Sequence, residues 1–190
     1  FLYETQEFLP GIRAFHIGPA GALSELESSP FGETLVRSGA LVFAPNGAFL
    51  YASGQGLSAF AIDGASGALD AVDGSPFTTD LGSDFFAANI AIDPRGEFLY
   101  TTAFTTTRHV SGFSIDAVSG ALERVPGSPL TTSAPYSVAV DPAGRFVYVG
   151  NDFGDVSVFA INRRNGSLDE LDDSPFTPGG PQPGFAFATR

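Results

Sequence analysis

Short apolar stretches separated by turn residues make up most of the chain, and no segment of useful length has the 3.6-residue period of a helix. The clearest unit occupies residues 136–176, where strand-like stretches lie at 137–140, 145–150, 156–161 and 167–171. The sequence Asp-Pro-Ala-Gly at 141–144 predicts a tight turn, because proline presets φ and glycine accepts a positive φ. Asn-Gly at 165–166 is a strong hairpin signal. The unit therefore predicts a four-stranded antiparallel meander.

This unit recurs about every 48 residues, four times along the chain. Each copy carries a tyrosine that closes a Phe-Leu-Tyr or Phe-Val-Tyr sequence, and each ends in Ser-Pro-Phe or Ser-Pro-Leu. The tyrosines are Tyr3, Tyr51, Tyr100 and Tyr148, and the prolines are Pro30, Pro76, Pro129 and Pro175. A repeat of 40–50 residues with several short strands is typical of a β-propeller. We predict an all-β fold, a β-propeller of four four-stranded antiparallel blades, in a single domain over 1–190.

The two ends of the chain predict that one blade is split between the N- and C-termini. The repeats lie at about 1–31, 39–77, 88–130 and 136–176, and the first of them lacks its innermost strand. A spare first-strand sequence lies within 184–190, and we expect it to complete the N-terminal blade, because an unpaired strand edge is normally avoided.

Three arrangements satisfy this pairing. The chain could close as a four-bladed ring, two chains could form an eight-bladed ring, or the strand at 184–188 could complete the next molecule's blade and build a polymer. A fourth possibility is that the sequence is part of a longer chain with more blades. The second and third predict a homo-oligomer or polymer formed through the strand at 184–188.

Composition and charge narrow the classes of partner. The formal charge is −12, so we expect no nucleic-acid partner and no binding to an anionic membrane surface. No apolar run approaches the length of a membrane span, so no membrane insertion is expected. The chain contains no cysteine, which excludes disulfides and thiolate chemistry. It begins at Phe1 and contains no methionine, so we expect a mature or excised form, and we predict an extracellular or periplasmic location.

The blade sequence resembles a known family. The relevant stretches are Asp-Pro-Ala-Gly-Arg-Phe-Val-Tyr-Val-Gly-Asn at 141–151, Val-Ser-Val-Phe-Ala-Ile at 156–161 and Gly-Ser-Leu at 166–168, and Asp-Pro-Arg-Gly-Glu-Phe-Leu-Tyr at 93–100 repeats the first. They resemble the lactonase-family seven-bladed propellers, which include 6-phosphogluconolactonase-like and Tyr-Val-Thr-Asn repeat proteins. The resemblance covers essentially the whole chain and implies seven blades, whereas four are present.

The resemblance also implies histidine, arginine and acidic side chains at the mouth of the channel, including a histidine just before an innermost strand. The corresponding segments here are 36–38, 84–86, 133–135 and 181–183, and none contains histidine. No catalytic residue can therefore be carried over from the family.

Few side chains are candidates for a functional site. His16 lies in a strand of the first repeat, where a structural or surface role is expected, and His109 ends a long loop insert. Two histidines in unrelated positions make no metal site, and the acidic clusters fit solvated outer strands better than calcium, so we expect no metal and no cofactor. If the rim of the propeller carries a ligand site, its residues are Arg37, Phe85, Arg108, His109, Tyr136 and Asp152.

The absence of a convergent catalytic set favours a non-catalytic structural or binding module, extracellular and able to self-assemble by strand exchange of the split blade. The alternative is a lactonase-class hydrolase acting on a sugar lactone at the channel mouth. A third hypothesis is an adhesin or carbohydrate binder.

Overall fold

The computed structural model describes residues 1–6, 9–32, 39–54, 56–77, 87–103, 108–177 and 185. Within them every regular element is a β-strand, and the strands form four antiparallel sheets. The first sheet has three strands in sequence order, β1 Leu2–Gln6, β2 Leu9–Ile17 and β3 Leu23–Glu25. The second has four, β4 Leu41–Phe43, β5 Phe49–Gly54, β6 Gly56–Ile62 and β7 Leu69–Ala71.

The third and fourth sheets repeat this meander. The third contains β8 Ala87–Ile92, β9 Phe98–Ala103, β10 His109–Ile115 and β11 Leu122–Arg124, and the short strand β12 Leu130–Thr131 also pairs with β10. The fourth contains β13 Pro135–Val140, β14 Phe146–Asn151, β15 Val156–Ile161 and β16 Leu168–Glu170. We call the four sheets, in chain order, the first to the fourth blade.

The Asp-Pro turns are held by their aspartates. Asp93 is buried, and its Oδ1 accepts hydrogen bonds from the backbone N–H groups of Glu97 (2.7 Å) and Phe98 (2.8 Å). Asp141 accepts from the N–H of Phe146 at 2.9 Å in the same way. These carboxylates satisfy the backbone donors at the start of the second strand, so the turns are structural.

The Ser-Pro dipeptides clasp the end of each blade. The Ser–Pro peptide is cis in all four repeats, at Pro30, Pro76, Pro129 and Pro175. The serine hydroxyl accepts a hydrogen bond from a backbone N–H of the third strand, as Ser128 Oγ does from Gly112 N at 2.9 Å. The residue after the proline then pairs with the same strand, as Phe77 does with Leu57. In all four repeats, these contacts hold the segment that follows the outermost strand against the third strand.

Neighbouring blades are joined by the repeated tyrosines. The hydroxyl of Tyr51 donates to the carbonyl of Gly120 in the next blade at 3.0 Å, and Tyr100 donates to Gly166 at 2.9 Å. Tyr3 makes the same bond to Gly67 at 2.8 Å. These glycines have positive φ, and the preceding blade's phenylalanine lies so close that a Cβ on Gly120 would come within 2.5 Å of Phe49 Cε1.

The innermost strands stack in chain order. β8 packs against β4 and β5 of the second blade, and β13 packs against β8 and β9 of the third. The space between the blades is filled by apolar clusters such as that of Tyr51, Leu99 and Phe113. The four blades therefore form one continuous stack with a core at each blade–blade junction.

The predicted four antiparallel sheets are present, the first with three described strands rather than four. The split of one blade between the termini concerns residues 184–190, of which the structure describes Phe185 alone, so the split stays a prediction, as does the single domain over 1–190. Among the described residues no helix is long and apolar enough to cross a membrane.

Candidate functional site

The direction of the strands determines which end of each blade, here called the rim, carries the candidate residues. In an antiparallel meander, the connection after the second strand and the connection after the fourth strand lie at the same end of the blade. In the third and fourth blades these connections include residues 108–109, 132–134 and 151–155. Of the predicted site residues, Arg108, His109 and Asp152 lie on this rim, whereas Arg37 and Phe85 lie outside the described residues.

A strap at 130–134 joins the rims of the third and fourth blades. Thr132 N donates to the carbonyl of Arg108 at 3.1 Å, and the Thr132 hydroxyl lies 3.2 Å from that of Ser157. Asp152 N donates to the carbonyl of Ala134 at 2.9 Å. The strap is thus hydrogen-bonded to Arg108 of the third blade and to Asp152 of the fourth blade.

Arg108 is exposed and reaches toward the fourth blade. Its guanidinium carbon lies 6.0 Å from the ring centroid of Phe153, which is 74% exposed. A guanidinium at this distance from an aromatic face is weakly attracted to it, so the contact orients the cation without consuming its hydrogen-bond donors. Arg108 has a φ of 23°, a value that non-glycine residues rarely adopt. Such backbone strain is common where a side chain is held for function.

His109 begins β10 and is half-buried. Burial lowers the pKa of His109 below its ordinary 6.5, and the positive charge of Arg124 lowers it further. The buried Nδ1 has no hydrogen-bond partner in the described part of the chain. The imidazole is therefore neutral at physiological pH, and one of its ring nitrogens is able to accept a proton.

A group of polar side chains on the fourth blade was not among the predicted site residues. Asn151 is fully buried, and its Nδ2 donates to Ser157 Oγ at 3.0 Å. Its Oδ1, like Oδ1 of Asp155, is buried without a hydrogen-bond donor among the residues described. Buried acceptors without donors are costly, so these two oxygens distinguish the fourth blade from the other described blades.

These polar residues could have been found by comparing the repeats in the sequence. Asn151 stands where the second and third blades have Gly54 and Ala103, and Asp155 stands at the repeat position of His109. A polar residue at a strand end where the other repeats have a different residue is therefore a candidate for a functional role. Residues that all repeats share are explained by the common fold. Ser133 Oγ donates to Asp155 Oδ2 at 3.4 Å, which links this carboxylate to the strap.

The other histidine and the predicted Tyr136 do not join this group through a side-chain contact that the structure describes. Tyr136 is 42% exposed on β13, and its carbonyl lies 3.5 Å from the Thr102 hydroxyl. His16 is exposed on β2 of the first blade and packs edge-on against Phe1 at 6.0 Å. No group of three or more histidine, cysteine, aspartate or glutamate side chains suited to a metal ion occurs in the described residues.

Comparison with known proteins identifies the family. A profile described as "Lactonase, 7-bladed beta-propeller" matches residues 57–182. The chain belongs to the lactonase family. The predicted family and the predicted β-propeller class are thus confirmed.

One relative of similar sequence and two similar solved structures carry lactonase names. A 6-phosphogluconolactonase of Formosa agariphila is 32% identical over 87 residues, which are 45% of this chain and 25% of the relative. A putative 6-phosphogluconolactonase structure from Bacteroides uniformis superposes with a TM-score of 0.76 at 19% identity, over 92% of this chain and 51% of the other. The structure of the Pseudomonas aeruginosa periplasmic gluconolactonase superposes with a TM-score of 0.73 at 22% sequence identity, over 90% of this chain and 49% of the other. This lactonase-family chain thus spans about half the length of these two structures and a quarter of the relative.

These comparisons overturn two expectations. The interpretation as a non-catalytic structural or binding module is wrong, and so is the leaning against an enzyme that went with it, because the similar proteins are named 6-phosphogluconolactonase or gluconolactonase. The expectation rested on the lack of a histidine in the segments before the innermost strands; the histidine on the described rim, His109, lies at the start of a third strand.

Proposed function

We propose that this chain provides the substrate-binding rim of a lactonase that hydrolyses the ring ester of a sugar lactone. The observation that carries the proposal is the 32% identity to a protein named 6-phosphogluconolactonase, within a family defined by lactonases. The rim of the third and fourth blades supplies the chemistry, with Arg108 and His109 on one side of the strap and Asn151 and Asp155 on the other.

Hydrolysis of a lactone needs two forms of assistance. A water oxygen attacks the ring carbonyl carbon and must lose a proton, while the carbonyl oxygen becomes an oxyanion. Neutral His109 accepts the water proton, since burial keeps its pKa low and its ring unprotonated. The Arg108 guanidinium stabilises the oxyanion, because it is always charged and offers several N–H donors. The ring C–O bond then breaks, the ring oxygen takes a proton, and a hydroxy acid leaves.

The carboxylate of Asp155 serves binding. Asp155 is half-buried and its Oδ2 lies within reach of the Ser133 hydroxyl, so a sugar hydroxyl at the strap would find an acceptor there, while the fully buried Asn151 supports the rim through its bond to Ser157. Arg108 reaches across the described rim toward Phe153, the same rim carries the carboxylates of Asp152 and Asp155, and the whole chain has a charge of −12. This balance favours an uncharged sugar lactone over a phosphorylated one.

The test is steady-state hydrolysis of gluconolactone and 6-phosphogluconolactone, followed by acid release and corrected for spontaneous opening. We expect the wild-type chain to hydrolyse gluconolactone with the higher kcat/KM. His109→Gln should lower kcat by roughly 100-fold or more, and Arg108→Ala by about 100-fold.

His16→Gln and Arg164→Ala are the matched controls, since both residues are exposed and lie away from the rim. They should retain wild-type rates. A wild-type chain with no rate above spontaneous opening overturns the function. Turnover that survives His109→Gln unchanged overturns the assignment of the base.

For the compartment we propose the periplasm or the cell exterior. Support comes from the similar fold of a protein named as a periplasmic gluconolactonase. Cell fractionation of the native host tests this location, and recovery in the cytoplasmic fraction would contradict it.

A further inference from the structure

The dipeptide Asn-Gly occurs twice in the sequence, with Asn46 before Gly47 and Asn165 before Gly166. The side-chain amide of an asparagine in this position is open to attack by the next backbone nitrogen, because glycine has no Cβ to hinder the approach. The first pair lies in the turn that precedes β5 and the second in the turn that precedes β16. By sequence alone the two sites are equivalent.

The local geometry of the two sites is also nearly the same. Gly47 and Gly166 have φ values of 70° and 73°. Oδ1 of Asn46 accepts a hydrogen bond from the backbone N–H two residues ahead at 3.0 Å, and Oδ1 of Asn165 does the same at 3.1 Å. The N–H of each glycine donates to a backbone carbonyl earlier in the turn, at 2.9 Å for Gly47 and 2.8 Å for Gly166. A difference in reactivity therefore has to come from the surroundings.

The third blade holds Gly166 in place. Gly166 is buried, and a Cβ on it would lie 2.6 Å from Cε1 of Phe98. Its carbonyl accepts a hydrogen bond from the hydroxyl of Tyr100 at 2.9 Å. Closing a ring requires the peptide between Asn165 and Gly166 to turn until the glycine nitrogen meets the side-chain carbon. Because this peptide is buried and fixed at its carbonyl, it turns only when the blade–blade junction opens.

The turn that contains Asn46 is held less firmly than its equivalents in later blades. In the third and fourth blades, the carboxylates of Asp93 and Asp141 accept hydrogen bonds from backbone N–H groups at the start of the second strand. Ala44 stands at this position in the second blade and has no carboxylate. The Asn46 side chain itself accepts one of the corresponding N–H groups. The reactive side chain and the holder of this turn are therefore the same group.

Asn46 is exposed because of its place in the turn. Arg95 and Ala143 occupy the same repeat position in the third and fourth blades, and both are exposed although each of those blades has a preceding blade. Solvent therefore reaches this position in all three blades. The water that completes a hydrolysis has free access to Asn46.

We propose that Asn46 is a site of spontaneous deamidation and that the third blade protects Asn165 from the same reaction. The Gly47 nitrogen bonds to Cγ of Asn46, the Cγ–Nδ2 bond breaks, and the amide nitrogen leaves as ammonia with the proton of the Gly47 N–H. Water then opens the cyclic imide at either carbonyl, which gives aspartate or isoaspartate without an oxidant. Each product adds one negative charge to the −12 of the chain, and isoaspartate also lengthens the backbone of the turn by one carbon.

Incubation of the folded chain in mildly alkaline buffer measures both rates in one sample. Digestion with an acid protease and mass spectrometry quantify the products, and methylation by an isoaspartate methyltransferase distinguishes isoaspartate from aspartate. We expect Asn46 to react about tenfold or more faster than Asn165, because reaction at Asn165 requires the junction to open first. In urea that unfolds the chain, the two rates should become similar. Equal rates in the folded chain, or a difference that persists in urea, overturns the proposal.

Tyr100→Phe tests the source of the protection. Loss of the hydroxyl releases the Gly166 carbonyl, so the rate at Asn165 should rise by about fivefold or more while the rate at Asn46 stays the same. Tyr51→Phe is the matched control, because it removes the equivalent hydrogen bond one blade earlier and should leave the rate at Asn165 unchanged. Circular dichroism checks that both variants are folded. A folded Tyr100→Phe chain in which Asn165 reacts no faster contradicts protection by the third blade.

Discussion

Substitution of Gly120 by alanine tests the contact that stacks one blade on the next. Gly120 has a φ of 75°, and an added Cβ would lie 2.5 Å from Phe49 Cε1, well inside van der Waals contact. Phe49 is only 6% exposed and its ring is rigid, so relief requires the second and third blades to shift apart. The loss in the free energy of unfolding therefore arises at the blade–blade junction and not in the turn alone.

Gly21→Ala separates the two contributions to this cost. Gly21 adopts a φ of 79° in the same turn of the first blade, but its Cβ would meet no described atom within 4 Å. Both variants suffer the left-handed backbone penalty of about 1–2 kcal/mol. Gly120→Ala adds overpacking of about 1–3 kcal/mol. The difference in the free energy of unfolding between the variants isolates the junction.

Thermal and urea unfolding followed by circular dichroism measure this difference. We expect Gly120→Ala to melt roughly 2–12 °C below Gly21→Ala, from about 2–4 °C per kcal/mol for a chain of this size. Both are measured at the same low protein concentration. Gly166→Ala is a second case, since its Cβ would lie 2.6 Å from Phe98 Cε1. Equal melting of Gly21→Ala and Gly120→Ala would refute the stacking argument.

Three further predictions concern hydrogen bonds and titration. Tyr100→Phe leaves the Gly166 carbonyl without its 2.9 Å donor and should cost about 1–3 kcal/mol in urea unfolding; an unchanged midpoint would contradict this. Burial raises the pKa of Tyr51 to about 12, so stability present below the ordinary 10 should fall as pH rises from 10 to 12; a Tyr51→Phe chain whose stability falls by the same amount over this range would contradict it. The hydrogen bond from Arg13 lowers the pKa of Glu25 to about 2, and NMR titration of Arg13→Ala should show that pKa returning toward 4.5; a pKa still near 2 would contradict it.

The sequence predicts the strands well because each blade contains the same turn chemistry. The stretch at 156–161 coincides with β15, and that at 145–150 is one residue from β14, Phe146–Asn151. The Asp-Pro turn before β14 limits the error, because Asp141 accepts hydrogen bonds at the strand's start. Repetition therefore supplies boundaries that a single strand would not.

The environment of each repeat could not be predicted in the same way. Leu23 and Leu69 are equivalent in sequence, and only the preceding blade makes one exposed and the other buried. The candidate site shows the same limit. Arg108 and His109 were predicted to lie on the rim, but Asn151 and Asp155 become notable only when their oxygens are seen to be buried without donors in the described structure.

The pH dependence of lactone hydrolysis tests the central claim most directly. If neutral His109 is the base, kcat/KM of the wild-type chain falls at low pH with an apparent pKa below the ordinary 6.5, because the lowered pKa keeps the imidazole unprotonated over most of the range. His109→Gln should lose this acidic limb, while His16→Gln keeps it. Hydrolysis that never exceeds the spontaneous rate, or an acidic limb that is the same in His109→Gln, would contradict the account.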